Sequence, residues 1–281
     1  MRVKVHEAFN CAPTDNVVKQ YTPLYGVELE YENTQVSALP FRWDITFDHS
    51  LRNGIEIISP PLGYKKMSTD LAAVLREIRR VKGKTSKRCG LHLHINMRPY
   101  DLGQFFSFIT LYVLAEPTIF KTHAEGRDDS NFCVPMYLQD EQVRGISEAV
   151  NLTREQGGGV SLVTEPFGAK YSAMNFQRLR SLGTIEMRQT YSTTTTRAAQ
   201  NWLKFCHLLR RYGVRYNDPA EVLKWYEAKR LSGLQTELFT RQVDVCPRAQ
   251  ELAEDAAYCI AGAEPVNWEE LDISDWMMFS K

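Results

Sequence analysis

Apolar and polar residues alternate with a period of two in several short stretches of this chain. Val27 and Leu29 alternate with Glu28 and Glu30, Leu91 and Leu93 with His92 and His94, and Ile185 and Met187 with Glu186 and Arg188. Successive side chains of a strand point to opposite faces. The segments Tyr25 to Tyr31, Leu91 to Met97 and Gly183 to Thr190 are therefore predicted as strands, each with one apolar face and a pair of charged or metal-competent groups on the other. Trp43 to Phe47 and Ile55 to Ser59 add two further strands, with Asn53-Gly54 as turn chemistry before the second and Glu56 standing between isoleucines. Tyr171 to Phe176 is expected to pair with Gly183 to Thr190.

Elsewhere the period is helical. Leu71, Val74, Leu75, Ile78 and Val81 form the stripe of a helix that Ser68 is placed to cap, and the basic stretch from Arg76 to Arg88 covers its end and the following loop. Asp101 caps a second helix, apolar around most of its circumference through Phe105, Phe108, Ile109 and Tyr112. Its apolar run, Phe105 to Leu114, is too short to span a bilayer and is followed by Pro117, so it reads as a buried helix. Glu125 to Pro135 reads as irregular and Gln139 to Val150 as weakly helical. Gly157-Gly158-Gly159 reads as a connector, with a lid as the alternative. Thr195 or Thr196 caps a helix with Trp202, Leu203, Cys206 and Leu209 inward and Gly213 at its end. Asp218-Pro219 and Pro247 open two more. An acidic tail from Trp268 to Trp276 is expected to dock on the domain, a separate partner being the alternative. Strands with intervening and trailing helices, and connections that need no parallel crossover, predict an α+β fold on an antiparallel sheet. The boundaries are an N-terminal arm at 1–24, a catalytic unit at 25–213 and a helical extension at 214–281.

Lys+Arg and Asp+Glu are equal at 34, so no global field draws the chain to nucleic acid or a membrane, and small or local partners are expected. The six cysteines show no CxxC and no regular spacing, and the first residues carry no apolar leader core. A reduced, cytoplasmic chain is expected.

Any single pair at strand spacing is as well explained by ordinary polar alternation on a solvated sheet face. Three pairs together with Glu56 are not. On one sheet they gather four carboxylates, two imidazoles and a guanidinium, and so much negative charge requires cations, which makes the face a divalent-metal site. Oxygen donors suit magnesium or manganese, and a histidine among them is tolerated. Arg178, Arg180 and Arg188, with Arg127 upstream, supply planar donor forks for phosphate or carboxylate oxygens. Metals flanked by arginines suit phosphoryl transfer. Taken singly, Arg178 and Arg180 also read as surface arginines. Gly90 gives close backbone or ligand approach, or a plain strand-entry turn.

Other patterns fail their own requirements. Lys82-Gly83-Lys84-Thr85 resembles the end of a phosphate loop, but Ile78 stands where its leading glycine belongs and no strand precedes it. There is no HExxH and no GxSxG. Cys89 reads as a small buried thiol rather than a nucleophile.

The run Tyr25 to Glu32, Asp48-His49-Ser50-Leu51 leading to Gly54 through Leu62, and Cys89-Gly90-Leu91-His92-Leu93-His94-Ile95 resemble, in order, the amidoligase family. Its members are carboxylate–amine ligases related to glutamine synthetase and glutamate–cysteine ligase, found in phages and bacterial gene cassettes. Arg127 with Asn131-Phe132-Cys133, Tyr171 to Asn175, and Gly183 to Arg188 continue the resemblance over residues 25 to 210. The resemblance implies a glutamine-synthetase-like domain whose antiparallel sheet is curved into a half-barrel with helices on its outer face. It implies Glu28, Glu30, Glu56, His92 and Glu186 as ligands of two or more Mg2+ or Mn2+ ions, with Glu186, Glu56 and Arg188 at the chemistry and Arg188 facing phosphate. Arg127, Arg178, Arg180, Asn175 and His94 are the expected contacts to nucleotide or substrate, His94 alternatively as a support to a ligand. Asp48 matches an acidic position. The implied reaction passes the γ-phosphate of ATP to a carboxylate of an amino acid, peptide or protein side chain, and an amine attacks the acyl phosphate. A phage-encoded chain would work in the host cytoplasm; the charge balance predicts no nucleic acid or membrane partner, and the sequence leaves the oligomeric state open. A guanidino-kinase-like phosphotransferase and a non-catalytic binding protein on the same fold are the competing readings.

Overall fold

The computed structural model describes residues 2–13, 23–155, 170–239 and 241–262. The Gly157 to Gly159 run and the tail from Trp268 to Trp276 lie outside the described residues.

The strands are β1 (Leu24–Glu32), β2 (Asp44–Asp48), β3 (Gly54–Ile58), β4 (Leu62–Gly63), β5 (Gly90–Asn96), β6 (Met174–Asn175) and β7 (Thr184–Tyr191). They form one sheet in the order β2-β3-β1-β5-β7-β6, with β4 against the start of β1, and every strand pairing is antiparallel. The helices are α1 (Val5–Ala8), α2 (Tyr64–Arg80), α3 (Leu102–His123), α4 (Asp140–Glu155), α5 (Leu179–Leu182), α6 (Thr196–Gly213), α7 (Pro219–Leu234) and α8 (Pro247–Ile260). The result is a mixed α/β structure with an open antiparallel sheet.

The period-two pattern sorts the faces. Val27, Leu29, Tyr31, Ile57, Leu91, Leu93, Ile95, Ile185 and Met187 are all buried in one apolar core with α2, α3 and α6. The partner face carries the charged pairs. At the free edge, β2 is mostly exposed and Phe47 keeps 79% of its surface accessible.

Several boundaries differ from expectation. Ser68 does not cap α2: Met67, fully buried, extends the apolar stripe by a turn, the helix starts at Tyr64, and the Ser68 hydroxyl instead accepts a bond from Gln200 Nε2 at 3.1 Å. Asp101 caps α3 with Gln104 completing a capping box, but the helix does not stop at Pro117. It runs 22 residues, long and apolar enough to cross a membrane by length and composition, with 94% of that window buried inside the protein. Proline removes one intrahelical bond there, and packing against α6, α7 and α8 holds the helix together around it. The helix expected over Gln139 to Val150 extends to Glu155. The strand expected over Tyr171 to Phe176 is only the two-residue β6. Asp218 caps α7 by accepting from Ala220 N at 2.9 Å, and Pro247 opens α8. Residues from α7 and α8 join the same apolar core as the sheet.

Candidate active site

Register builds the site. Glu28 lies opposite His92, Glu30 opposite Glu56, and His94 opposite Glu186, so four neighbouring strands deliver their polar side chains to one patch of one face. His92 Nδ1 lies 3.3 Å from Glu186 Oε1, 3.4 Å from Glu28 Oε2 and 3.7 Å from Glu30 Oε1. His94 Nε2 lies 3.0 Å from Glu28 Oε1, and its Nδ1 meets Thr184 Oγ1 at 3.0 Å. Between Leu91 and Leu93 the register with β7 shifts, because Leu91 pairs Thr190 while Leu93 pairs Met187. This bulge places the extra residue at Arg188-Gln189, beside His92, where bulges commonly re-aim side chains.

Gly90 is required by close approach. Its N–H donates to Glu30 Oε2 at 2.5 Å, and a Cβ there would stand 2.3 Å from His92 Nε2. Any larger residue would displace the imidazole, so the glycine serves packing at the site and is more than a strand-entry turn.

A cleft of about 240 Å³ opens over these groups. Glu28, Glu30, Glu56, His92, Asn175, Glu186, Arg127, Arg178 and Arg188 all line it. Asn175 Nδ2 donates to Glu186 Oε2 at 3.0 Å, while Arg188 ion-pairs with Glu186 Oε1. Arg127 is buried, stacked 4.7 Å from the centre of the Tyr191 ring. Two expected contacts are placed differently. His94 does not line this cleft but sits behind Glu28, in contact with a neighbouring chamber. Arg180 does not line it either. Arg178 stands at the N-cap position of α5 and Arg180 is two residues on, which on a helix turns a side chain by roughly 200°.

Arg88, Lys170 and Gln177 line the cleft without having been singled out by sequence. Arg88 stands in the turn before β5, inside a basic run that resembled helix-end decoration, and its closeness to Gly90 was the available signal. Asp48 also lines it, on the same face as Thr46, which lies opposite Glu56. Phe132 and Tyr171 form an edge-on ring pair 5.4 Å apart at the wall.

Burial and mutual charge set the electrostatics of these groups. Burial, then the charges of Glu28, Glu30 and Asp48, push the Glu56 carboxyl up to about 8. Burial would also raise Glu28, but hydrogen bonds and charge from His92 and His94 overcome it and hold this carboxyl well below the usual range. Burial would lower His94, and its bond to Glu28 outweighs that and raises it. Three buried nitrogens at the cleft, His92 Nε2, Arg127 Nε and Arg188 Nε, have no hydrogen-bond partner within the protein. Two sets of ligand atoms lie close enough to hold an ion: Glu28, Glu56 and His92, and Glu28, His94 and Glu186, each within 4.8 Å of one another. Glu28 is common to both. Glu30 belongs to neither; its Oε2 accepts from Gly90 N and its Oε1 lies 3.7 Å from His92 Nδ1. The oxygen-rich donor sets fit a hard divalent ion.

Residues 29–209 match a family described as "Putative amidoligase enzyme", the match starting one residue after Glu28. No curated protein matches the chain. Among solved structures, a bifunctional glutathione synthetase from Pasteurella multocida is similar at 10% identity and a TM-score of 0.34, over 86% of this chain and 49% of that one. The chain thus spans about half the length of that protein.

Proposed function

The chain belongs to the amidoligase family, and from that premise we propose that it is an ATP-dependent carboxylate–amine ligase working through an acyl phosphate. The observation that carries this reading is the opposition of charges in one cleft: Glu28, Glu30, Glu56 and Glu186 on its floor, with Arg88, Arg127, Arg178, Arg188 and Lys170 around them. Acids alone would suit a metal store and bases alone an anion site. Together they suit a metal-bound polyphosphate.

In this reading Glu28, Glu56, His92 and Glu186 hold the ions, with His94 as a further donor on the Glu28 side and Glu30 fixing His92. The ions, when bound, neutralise the triphosphate and orient its terminal phosphate. Arg188, Arg127 and Arg178 bind phosphate oxygens, and the orphaned Nε atoms of the first two are donors for them. Asn175 holds the Glu186 carboxylate in place. The carboxylate substrate takes the γ-phosphoryl group and ADP departs. The amine nitrogen then bonds the acyl carbon as the C–O bond to phosphate breaks. We read the sheet as the curved half-barrel of a glutamine-synthetase-like catalytic unit spanning 25–213, with 214–281 as its helical extension. The antiparallel strand order and the helices on one face support that reading.

The test is product analysis. Pure protein, ATP and magnesium are incubated with pools of amino acids, polyamines and peptides, and free phosphate and new masses are followed. A ligase yields an amide with stoichiometric phosphate. A phosphorylated nitrogen compound without amide would transfer the protein to the guanidino-kinase reading.

A further inference from the structure

On the same sheet face, at the β4 end of β1, lies a second chamber of about 260 Å³. Its apolar side chains are Leu24, Ile58, Pro61 and Leu182, and its boundary with the charged cleft is formed by Glu28 and His94. Glu28 lines both spaces. Gly26, two residues before Glu28 on that face, keeps the floor open, since a Cβ there would already press on His94 Cβ at 3.3 Å. Among the described residues no lysine or arginine lines this chamber, whereas five line the cleft next to it. The site therefore divides one face into a polar half rich in cations and an apolar half bounded by a carboxylate.

We propose that this chamber holds the amine substrate of the ligation, and that this substrate is a small primary amine with an apolar body. The inference rests on the ligase reading and adds to it the class of nucleophile. Charge selects the half: carboxylate and phosphate groups gain from the five cations of the cleft, whereas an ammonium group is repelled by them and meets no lysine or arginine among the described residues around this chamber, its one carboxylate being Glu28. Shape and polarity select the body. The volume falls just below the roughly 300 Å³ at which drug-sized ligand sites begin, so it accommodates a small molecule or a single side chain. Apolar walls reward burial of hydrocarbon and penalise hydroxyl or second amino groups left without partners. The polar side chains beside Glu28 and His94 are already engaged: Thr184 Oγ1 with His94, Ser59 Oγ with Val27 N at 2.8 Å, and Asn96 Oδ1 with Arg98 N at 3.2 Å. An amine seated here places its nitrogen at the Glu28–His94 boundary, facing the cleft in which the acyl group forms. The ammonium first gives one proton to solvent; the freed amine nitrogen bonds the acyl carbon as the acyl C–O bond breaks, and the second proton shed by nitrogen leaves with the phosphate.

The experiment uses the full chain with magnesium and a non-hydrolysable ATP analogue, and titrates isopentylamine, isovalerate and ethanolamine by calorimetry. Isopentylamine is expected to bind about tenfold or more tightly than either of the others, the first comparison testing charge and the second the apolar body. Leu182 is 48% exposed, so Leu182→Lys introduces a cation without a packing penalty; isopentylamine affinity should fall about tenfold and isovalerate affinity should rise. Leu24→Trp, with melting temperature as the control on folding, should abolish isopentylamine binding by occlusion. Equal or stronger binding of isovalerate or ethanolamine to the unaltered protein overturns the proposal, as does amine binding that neither variant weakens. Failure of the magnesium nucleotide to bind is a separate result, which strikes the ligase reading, and the amine titrations without nucleotide still decide what the chamber accepts.

Discussion

Glu28 and His92 stand directly opposite one another on β1 and β5, with carboxylate and imidazole 3.4 Å apart, and the second oxygen of Glu28 meets His94 at 3.0 Å. One carboxylate therefore spans both histidines of the neighbouring strand. It also belongs to both candidate ion-binding groups. Its partners keep it charged despite burial, whereas Glu56, two strands away from β5 and without an imidazole partner, is driven towards protonation.

This asymmetry predicts an order of ligand importance. Glu28→Gln is expected to weaken Mg2+ or Mn2+ binding by more than the roughly 10–100-fold that loss of a supporting residue costs, and Glu30→Gln by less than Glu28→Gln. Calorimetric titration of the variants measures this, and the thermal stabilisation given by metal should shrink in the same order. Indistinguishable affinities for the two variants would remove Glu28 from its shared role.

Glu56 sets a pH dependence. Its folded-state carboxyl is raised to about 8 from a reference of 4.5, so the folded, metal-free protein binds this proton more tightly than the unfolded chain does. The stability it contributes is complete below pH 4.5 and is lost as pH rises through about 8. A bound cation reverses the preference, because the ligand must be deprotonated. The expected outcome is that the rise in melting temperature on adding Mg2+ is larger at about pH 8.5 than at about pH 6, on either side of the Glu56 value, and that Glu56→Gln flattens this difference. Calorimetry in buffers of differing ionisation enthalpy should record proton release on metal binding near neutral pH.

Much of this site is legible in the chain because a strand's side-chain period is two. Once Leu29, Leu93 and Met187 are assigned to the core, Glu28, His92, His94 and Glu186 have only the other face to occupy. What periodicity does not carry is adjacency: nothing local in the sequence says that β1 lies between β3 and β5, and the pairing of Glu30 with Glu56 depends on that order. Nor does period two foresee the bulge beside Arg188, or separate Arg178 from Arg180, which share a basic stretch but are turned apart by the short helix α5. Arg88 is hidden for a related reason. A charge run has no period, so its one member at the cleft looks like the others. The start of α2 lies a turn before the residue with the chemistry of a cap, Ser68, because burial of Met67 outweighs that preference.

The turn after α2 yields a negative prediction. Lys84 is exposed, its carbonyl accepts from Glu32 N at 3.0 Å, and residues 82–85 do not line the cleft. Despite its likeness to a phosphate loop, this segment is a turn tied to the end of β1. Lys84→Ala should leave ATP affinity within about twofold, a change below 0.5 kcal/mol as expected for a surface substitution. A large loss of nucleotide binding with an unchanged melting temperature would return the phosphate site to this turn.

Arg188 is the sharpest test of the chemistry. It lies on the strand face of Glu186, pairs with that carboxylate, and keeps a buried Nε without a partner at the cleft. An arginine serving only to neutralise Glu186 could be replaced by lysine with modest effect, since the charge survives. One that braces phosphate oxygens while paired to Glu186 needs the planar fork, which lysine lacks. Arg188→Lys is therefore expected to lower turnover by about a hundredfold or more, the scale of losing one preorganised donor, with metal affinity and melting temperature changed far less. Single-turnover measurement of phosphate release, beside calorimetric metal titration of the same variant, separates the two roles. Turnover within a few-fold of the unaltered protein would leave Arg188 as a structural partner of Glu186 and pass the phosphate contact to Arg127 and Arg178.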